Sequence, residues 1–152
     1  MKQRVWRIVK QRHAATAFDG EGARLFGGRW NSPGTRMIYT SGTLSLAALE
    51  TLVHLTPPVV FRYVAIPVEW DDAVVETLPV SGMPADWTEE PPSTSTKVLG
   101  DRWVRESRSA VLKVPSVIIR AEPNYLLNPV HRDFRKLRIG KPVPFAFHPR
   151  LL

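Results

Sequence analysis

Short stretches in which apolar and polar residues alternate recur along the chain, and this pattern predicts a protein with more strand than helix. The stretch Val5–Val9 places Trp6 and Ile8 on one face of a strand and Arg7 on the other. Over Val59–Val68 both faces are largely apolar, which is typical of a strand in the middle of a sheet. Further strands or extended pieces are predicted over residues 36–40, 73–76, 110–114, 117–120, 123–129 and 143–147.

Two segments have the period of a helix. The first is predicted to run from about Leu44 to Leu55, with Ser41 or Thr43 as its cap and a proline pair after its end. Its apolar residues fill one continuous arc, so we expect the helix to be covered on most faces. Glu50 lies at the border of that arc, which predicts a carboxylate at a protein-lined edge rather than in open water. The second helix is predicted over residues 98–109.

Two loops are predicted. One lies at Asp19-Gly20-Glu21-Gly22, and the other covers residues 77–96, which contain four prolines with several serines and threonines. The pattern contains no internal repeat. We therefore predict one α+β domain over residues 1–152, with mixed, mainly antiparallel sheets and few helices.

Composition and charge narrow the classes of function. The chain has no cysteine, which excludes disulfides and thiolate chemistry, and its N-terminus lacks a secretory h-region. No apolar run approaches the roughly 20 residues of a membrane helix, so we expect a cytoplasmic protein. The formal charge of +7 predicts an anionic partner, such as nucleic acid, an acidic protein or a phosphorylated small molecule. The densest basic run, Arg132–Arg138, is typical of a solvated basic face.

Several common sites are absent from the sequence. There is no phosphate-binding P-loop, no dinucleotide-binding glycine motif and no zinc-binding spacing of histidines, so we expect no metal. The remaining candidates are polar side chains on otherwise apolar elements. In chain order these candidates are Arg7, Arg29, Tyr39, Glu50 and Ser116. Each also has an ordinary structural interpretation, which in the same order is an arginine at a strand edge, a loop anchor, a core ring, a solvent-facing carboxylate and a turn hydroxyl.

Taken together and in order, the motifs resemble a known family. They are W-R-I near the start, G-G-R-W-N at 27–31, A-A-L-E-T-L-V-H at 47–54, P-S-V at 115–117 and N-x-L-x-N-P-x-H at 124–131. This series is similar to that of the RES-domain toxins, which are the toxin halves of bacterial toxin–antitoxin pairs. The similarity covers nearly the whole chain, from Trp6 to Leu151.

The resemblance implies a fold like that of ADP-ribosyltransferase toxins and an activity that destroys NAD+. The nicotinamide–ribose bond would be cleaved by hydrolysis or phosphorolysis, with NAD+ as substrate rather than cofactor and inorganic phosphate as a potential co-substrate. Carried over to this sequence, the catalytic residues would be Glu50, Arg29 and Ser116. The residues that bind NAD+ would be Arg7, Arg29, Tyr39 and Ser116.

The chemistry of these residue types agrees with that implication. Guanidinium groups suit a diphosphate, a tyrosine ring can stack on the cationic pyridinium, and a carboxylate can stabilise an oxocarbenium-like transition state. Transfer of ADP-ribose to a protein would use the same residues and stays open as an alternative. A basic nucleic-acid-binding protein or ribonuclease is a second alternative, based on the charge. The family's partner would be an Xre-type antitoxin that blocks the active site, with nucleic acid bound only through it and a toxin homodimer expected in the complex.

Overall fold

Eight strands form one sheet, and three α-helices pack around it in the computed structural model, which describes residues 2–152. The strands are β1 Lys2–Lys10, β2 Ile38–Ser41, β3 Tyr63–Asp71, β4 Val75–Thr77, β5 Val111–Pro115, β6 Pro123–Leu127, β7 Arg138–Ile139 and β8 Val143–Phe145. The helices are α1 Glu21–Phe26, α2 Leu44–Leu52 and α3 Thr94–Arg105. The α+β class, with few helices, is confirmed. One domain over residues 1–152 stays a prediction, and Met1 lies outside the described residues.

The order of the strands is β4-β5-β6-β2-β1-β3-β7, and β8 pairs with β3 beside β7. Every pairing is antiparallel except that of β4 with β5. β1 and β3 pair along their whole length, but β1 and β2 share the single registered pair Trp6 and Ser41. The two halves of the sheet therefore separate beyond this pair, and α2 packs over the junction on β1 and β2.

The core lies on both faces of the sheet. One face buries Val5, Ile38, Val68, Trp70 and Leu127 with their neighbours. On the other face, Leu112 and Leu126 pack with Met37, Trp30 and the α3 residue Trp103. Each large apolar side chain buried in this way stabilises the fold by about 1.5–3 kcal/mol. No helix within residues 2–152 is long and apolar enough to cross a membrane.

The helix predicted over Leu44–Leu55 ends at Leu52, three residues early. The backbone N–H groups of His54 and Leu55 bond to carbonyls three residues back, at 3.1 and 3.0 Å, so the chain tightens into turns before the proline pair. Within α2 only Ser45 is exposed, in agreement with the prediction that most faces of the helix are covered, and Val53 just past its end is 57% exposed. Thr43 is the N-cap, since its Oγ1 accepts from the N–H of Leu46 at 3.1 Å.

The strand predicted over residues 117–120 is a turn. The hydroxyl oxygen of Ser116 accepts from the backbone N–H groups of Ile118 and Ile119, at 3.0 and 3.1 Å, and this bends the chain. The N–H of Glu122 then bonds to the carbonyl of Ile119 at 3.0 Å. An apolar run that would suit a strand is folded back on itself, and the extended piece after it forms β6 inside the sheet.

Other predicted boundaries move by a few residues. Residues 10–28 contain a 3-10 helix over Gln11–Thr16 and the helix α1, which the sequence analysis did not predict. Asp19 Oδ1 accepts from the N–H of Glu21 at 2.9 Å, and the loop signal is in fact the start of α1. The central strand begins at Tyr63 rather than Val59. The long loop ends at Ser93, because α3 begins four residues earlier than predicted.

Gly100 allows α3 to pack directly on the turn that carries Trp30. A Cβ atom at Gly100 would lie 1.7 Å from the carbonyl oxygen of Trp30. That contact is with backbone, which a side-chain rotation cannot relieve.

We therefore expect Gly100→Ala to lower the free energy of unfolding by about 2–3 kcal/mol, as overpacked core variants do. Gly22→Ala is the matched control, since a Cβ there meets nothing within 4 Å. Alanine in that helix should be neutral or stabilising by up to about 1 kcal/mol. Urea unfolding of both variants is the measurement, and equal stabilities would contradict this packing.

Candidate active site

Glu50 is held by two donors from the sheet. The residue lies on α2, which Thr43 starts immediately after β2, so the helix places its carboxylate above the ends of the central strands. Glu50 Oε1 accepts from Ser116 Oγ at 2.8 Å and from Asn124 Nδ2 at 2.7 Å. Within the described residues both of these bonds reach Oε1, and no hydrogen bond is formed with Oε2. One carboxylate oxygen is thus fixed by protein and the other is available.

Ser116 is fully buried at the end of β5, and its hydroxyl is completely used. It donates its proton to Glu50 and accepts from the two backbone N–H groups of the following turn. A hydroxyl has one donor and two acceptor positions, so all three are occupied. The predicted site residues Glu50 and Ser116 are therefore in direct contact, although 66 positions separate them.

Arg29 lies on the turn after Gly27 and Gly28, and its side chain is 12% exposed. Its Nη1 donates to the carbonyl oxygens of Trp87 and Glu89, at 3.0 and 2.9 Å, and its Nη2 pairs with the carboxylate of Glu90. Burial lowers the pKa of Arg29, while the nearby charge of Glu50 acts to raise it. The guanidinium is thus close enough to Glu50 to interact electrostatically, and three of its five N–H donors bond to residues 87–90 of the loop over residues 78–93.

Tyr39 on β2 fastens that same turn. Its hydroxyl donates to Asn31 Oδ1 at 2.6 Å and accepts from the backbone N–H of Trp30 at 3.1 Å. Burial is the main cause of a strong rise in the pKa of Tyr39. A Cβ at Gly28 would lie 2.5 Å from the tyrosine hydroxyl, so glycine is required there for the tyrosine to fit.

Arg7 on β1 braces the backbone beside β2. Its Nε donates to the carbonyl of Ala17 at 2.7 Å and its Nη1 to the carbonyl of Tyr39 at 2.9 Å. Burial lowers the pKa of Arg7 to about 10, with the charge of Asp19 opposing the shift, so the group stays charged at neutral pH. Within residues 2–152 its hydrogen bonds go to these two carbonyls, and none reaches Glu50.

Two polar residues of this cluster were missed by the sequence analysis. Asn124 on β6 donates to Glu50 and accepts from Ser41 Oγ at 2.8 Å. Asn124 opens the N-x-L-x-N-P-x-H motif and Ser41 ends the strand Y-T-S, so both signals were present but pointed to no particular contact. No group of three acidic or histidine side chains in the described chain could hold a metal ion.

Two surface depressions lie away from this cluster. One of about 250 Å³ lies beside Trp70 and Lys113, and one of about 540 Å³ lies beside α3 at Asp101 and Val104. Neither is lined by Glu50 or Arg29.

The fold agrees with the comparisons to known proteins. The model of the RES domain family matches residues 4–148, and the chain belongs to that family. It is 37% identical over 149 residues to "Toxin Res" of Yersinia enterocolitica, an alignment that covers 97% of this chain and 98% of the relative. It is 34% identical over 154 residues to "Prs ADP-ribosylating toxin" of a Sphingobium species, with 97% and 95% covered.

A solved structure supports the same fold. A chain in the crystal structure of the M. tuberculosis MbcT-MbcA toxin–antitoxin complex superposes with a TM-score of 0.73, over 96% of this chain and 85% of that chain. The sequence identity of the pair is 17%, so this likeness concerns the fold alone. The expected ADP-ribosyltransferase-like fold is consistent with the name of the Sphingobium relative.

The contacts of Tyr39 predict that its hydroxyl stabilises the turn under Arg29. Tyr39→Phe leaves the buried Asn31 Oδ1 and the N–H of Trp30 without this partner, so we expect a loss of about 1–3 kcal/mol in the free energy of unfolding. Tyr63→Phe is the control, because its ring packs edge-on to Phe147 with centroids 5.6 Å apart and needs no hydroxyl for that contact. Thermal unfolding checks both, and a Tyr39→Phe protein as stable as the control would refute the role.

Proposed function

We propose that this protein is the toxin of a bacterial toxin–antitoxin pair and that it depletes NAD+ by cleaving the nicotinamide–ribose bond. The observation that carries the proposal is the carboxylate of Glu50, which two donors orient through one oxygen. The names of its relatives, "Toxin Res" and "Prs ADP-ribosylating toxin", support it.

The reaction needs little from the protein beyond a placed negative charge. As the bond between the ribose C1′ and the pyridinium nitrogen breaks, its electron pair leaves with nicotinamide and positive charge grows on the sugar. A carboxylate at a water-poor edge stabilises that charge. A water oxygen then forms the new bond at C1′ and releases a proton to solvent, or an ionised phosphate oxygen forms that bond with no proton to lose. Nicotinamide departs neutral, so no strong general acid is required.

The remaining residues hold the substrate. Arg29 binds the diphosphate with charge-assisted bonds, and the ring of Tyr39 stacks on the nicotinamide while its hydroxyl stays anchored. Arg7 has five N–H donors and bonds to two carbonyls, so its other donors are those available to the diphosphate. Ser116 acts through Glu50, because contact with the ribose or the amide would require its hydroxyl to release the carboxylate.

The binding of NAD+ competes with the loop around Glu90. In the structure the carboxylate of Glu90 occupies the guanidinium that would hold a phosphate. A diphosphate brings more negative charge to the same donors, so it can displace a side chain that is 68% exposed. The substrate therefore enters by replacing an internal anion.

A second candidate, ADP-ribosylation of a protein, is favoured by the name of the Sphingobium relative. The chemistry at C1′ is the same, and only the acceptor changes. NAD+ labelled in its adenine ring distinguishes the two: the label ends in free ADP-ribose or its phosphate in one case and on a protein in the other.

The partner we propose is an Xre-type antitoxin that blocks the site, with contact to nucleic acid only through that antitoxin. The likeness to a chain of a toxin–antitoxin complex supports a protein partner. The formal charge of +7 fits both an acidic partner surface and an anionic substrate. NAD+ in the cytoplasm would be the pool that is consumed, and a homodimer within the complex stays a prediction.

The direct test is release of nicotinamide from NAD+ by purified protein freed of any partner, with and without phosphate. Release supports the proposal, and its dependence on phosphate identifies the acceptor. Absence of release in both buffers, from protein shown to be folded, would refute cleavage of NAD+ with either small acceptor.

Glu50→Gln should lower kcat for nicotinamide release at least about 100-fold, because the charge that stabilises the transition state is removed. The glutamine carbonyl still accepts from Ser116 and Asn124, so the fold should be retained. Glu106→Gln is the control, since that carboxylate pairs with Arg108 at the surface. Full activity of a folded Glu50→Gln protein would remove this residue from the mechanism.

Glu90→Gln should lower KM for NAD+ about two- to fivefold with kcat unchanged, the range expected for removal of an exposed competing ion pair. Glu89→Gln is matched in charge and position, and only the backbone carbonyl of Glu89 contacts Arg29. Equal KM values for the two variants would show that Glu90 does not compete with substrate.

A further inference from the structure

We propose that Asn124 is a positioning residue that fixes which oxygen of the Glu50 carboxylate faces the substrate. Asn124 Nδ2 donates to Glu50 Oε1 at 2.7 Å, and Asn124 Oδ1 accepts from Ser41 Oγ at 2.8 Å. The consequence for catalysis rests on the proposed function, whereas the contact itself can be tested without it.

The orientation of the Asn124 amide follows from the chemistry of its partners. An ionised carboxylate only accepts hydrogen bonds, so the nitrogen must face Glu50 and the oxygen must face Ser41. The hydroxyl of Ser41 then donates to the amide oxygen. The reverse orientation would set two acceptor oxygens against each other, and the network has a single satisfied arrangement.

The donors that hold Glu50 come from the sheet rather than from its own helix. Ser41 and Asn124 are register partners on β2 and β6, and Val114 on β5 is paired with Asn124 from the other side. Ser116 follows directly after β5. Three adjacent strands therefore set the position of one side chain on α2, which is the rigid support that a catalytic group requires.

Both donors bond to Oε1, so the two oxygens of the Glu50 carboxylate have different roles. Oε1 is saturated by Asn124 and Ser116, which leaves Oε2 as the oxygen that can approach C1′ of the ribose. Without Asn124 the carboxylate keeps one bond and can rotate about it. The proposed contacts to the diphosphate come from Arg29 and Arg7, and neither residue bonds to Asn124, so binding of NAD+ should be little affected.

Kinetics separate this role from a merely structural one. We expect Asn124→Ala to lower kcat roughly 10- to 100-fold, with KM for NAD+ within about threefold of wild type, as for loss of a hydrogen bond to a charged group that matters in the transition state. Asn124→Asp should be worse, because a second carboxylate then faces Glu50 without a donor. Ser41→Ala, which removes only the outer bond, should lower kcat by a smaller factor.

Asn128→Ala is the matched control, since Asn128 follows the same strand, is buried and bonds to the N–H of Val130. Its loss should reduce stability but leave kcat within about twofold of wild type. A folded Asn124→Ala protein with an unchanged kcat would overturn the proposal. If Asn124→Ala does not fold, an unchanged kcat in Ser41→Ala would overturn it equally.

A spectroscopic test does not depend on any activity toward NAD+. The comparison is between ¹H–¹⁵N spectra of the wild-type protein and of Glu50→Gln, in which a neutral acceptor replaces a charged one. The side-chain NH₂ signals of Asn124 should differ between the two spectra. The NH₂ signals of Asn128 should stay in place. Absence of a shift at Asn124 would disprove the contact, and failure of nicotinamide release with the shift present would refute only the proposed function.

Discussion

The carboxylate of Glu50 on a largely apolar helix is the constraint on which the site depends. A charge at a protein-lined edge is tolerated only when donors replace water. The sheet supplies them through the turn at Ser116 and the amide of Asn124. The carboxylate reaches both donors because α2 directly follows β2 and because β6 lies between β2 and β5 in the sheet.

The guanidinium of Arg29 has two roles, because it bonds to a loop in the folded protein and is also the group proposed to bind the substrate. The glycine pair before it and the hydroxyl of Tyr39 hold the turn in place whether or not a ligand is bound. The loop that contributes Glu90 satisfies the guanidinium in the meantime. The loop thus keeps a largely buried cation paired.

The sequence pattern was sufficient for the α+β class and for most strands, because side-chain alternation is a local property. It failed over residues 117–120, where an apolar run suited a strand but the hydroxyl of Ser116 captured the next backbone N–H groups. The contact of Ser116 with Glu50 could be expected only from a family resemblance. Asn124 and Ser41 were missed because strand pairing between distant segments leaves no periodic signal in the chain.

A crystal structure with an NAD+ analogue in which carbon replaces the ribose ring oxygen would test the central claim most directly, since the analogue resists cleavage and the wild-type Glu50 can be kept. We expect C1′ to lie beside Oε2 of Glu50, the diphosphate to contact Arg29, and Glu90 to have moved away. The bonds from Ser116 and Asn124 to Oε1 should remain. An analogue bound elsewhere, or one bound with C1′ remote from Glu50, would contradict the assignment of this carboxylate as the catalytic group.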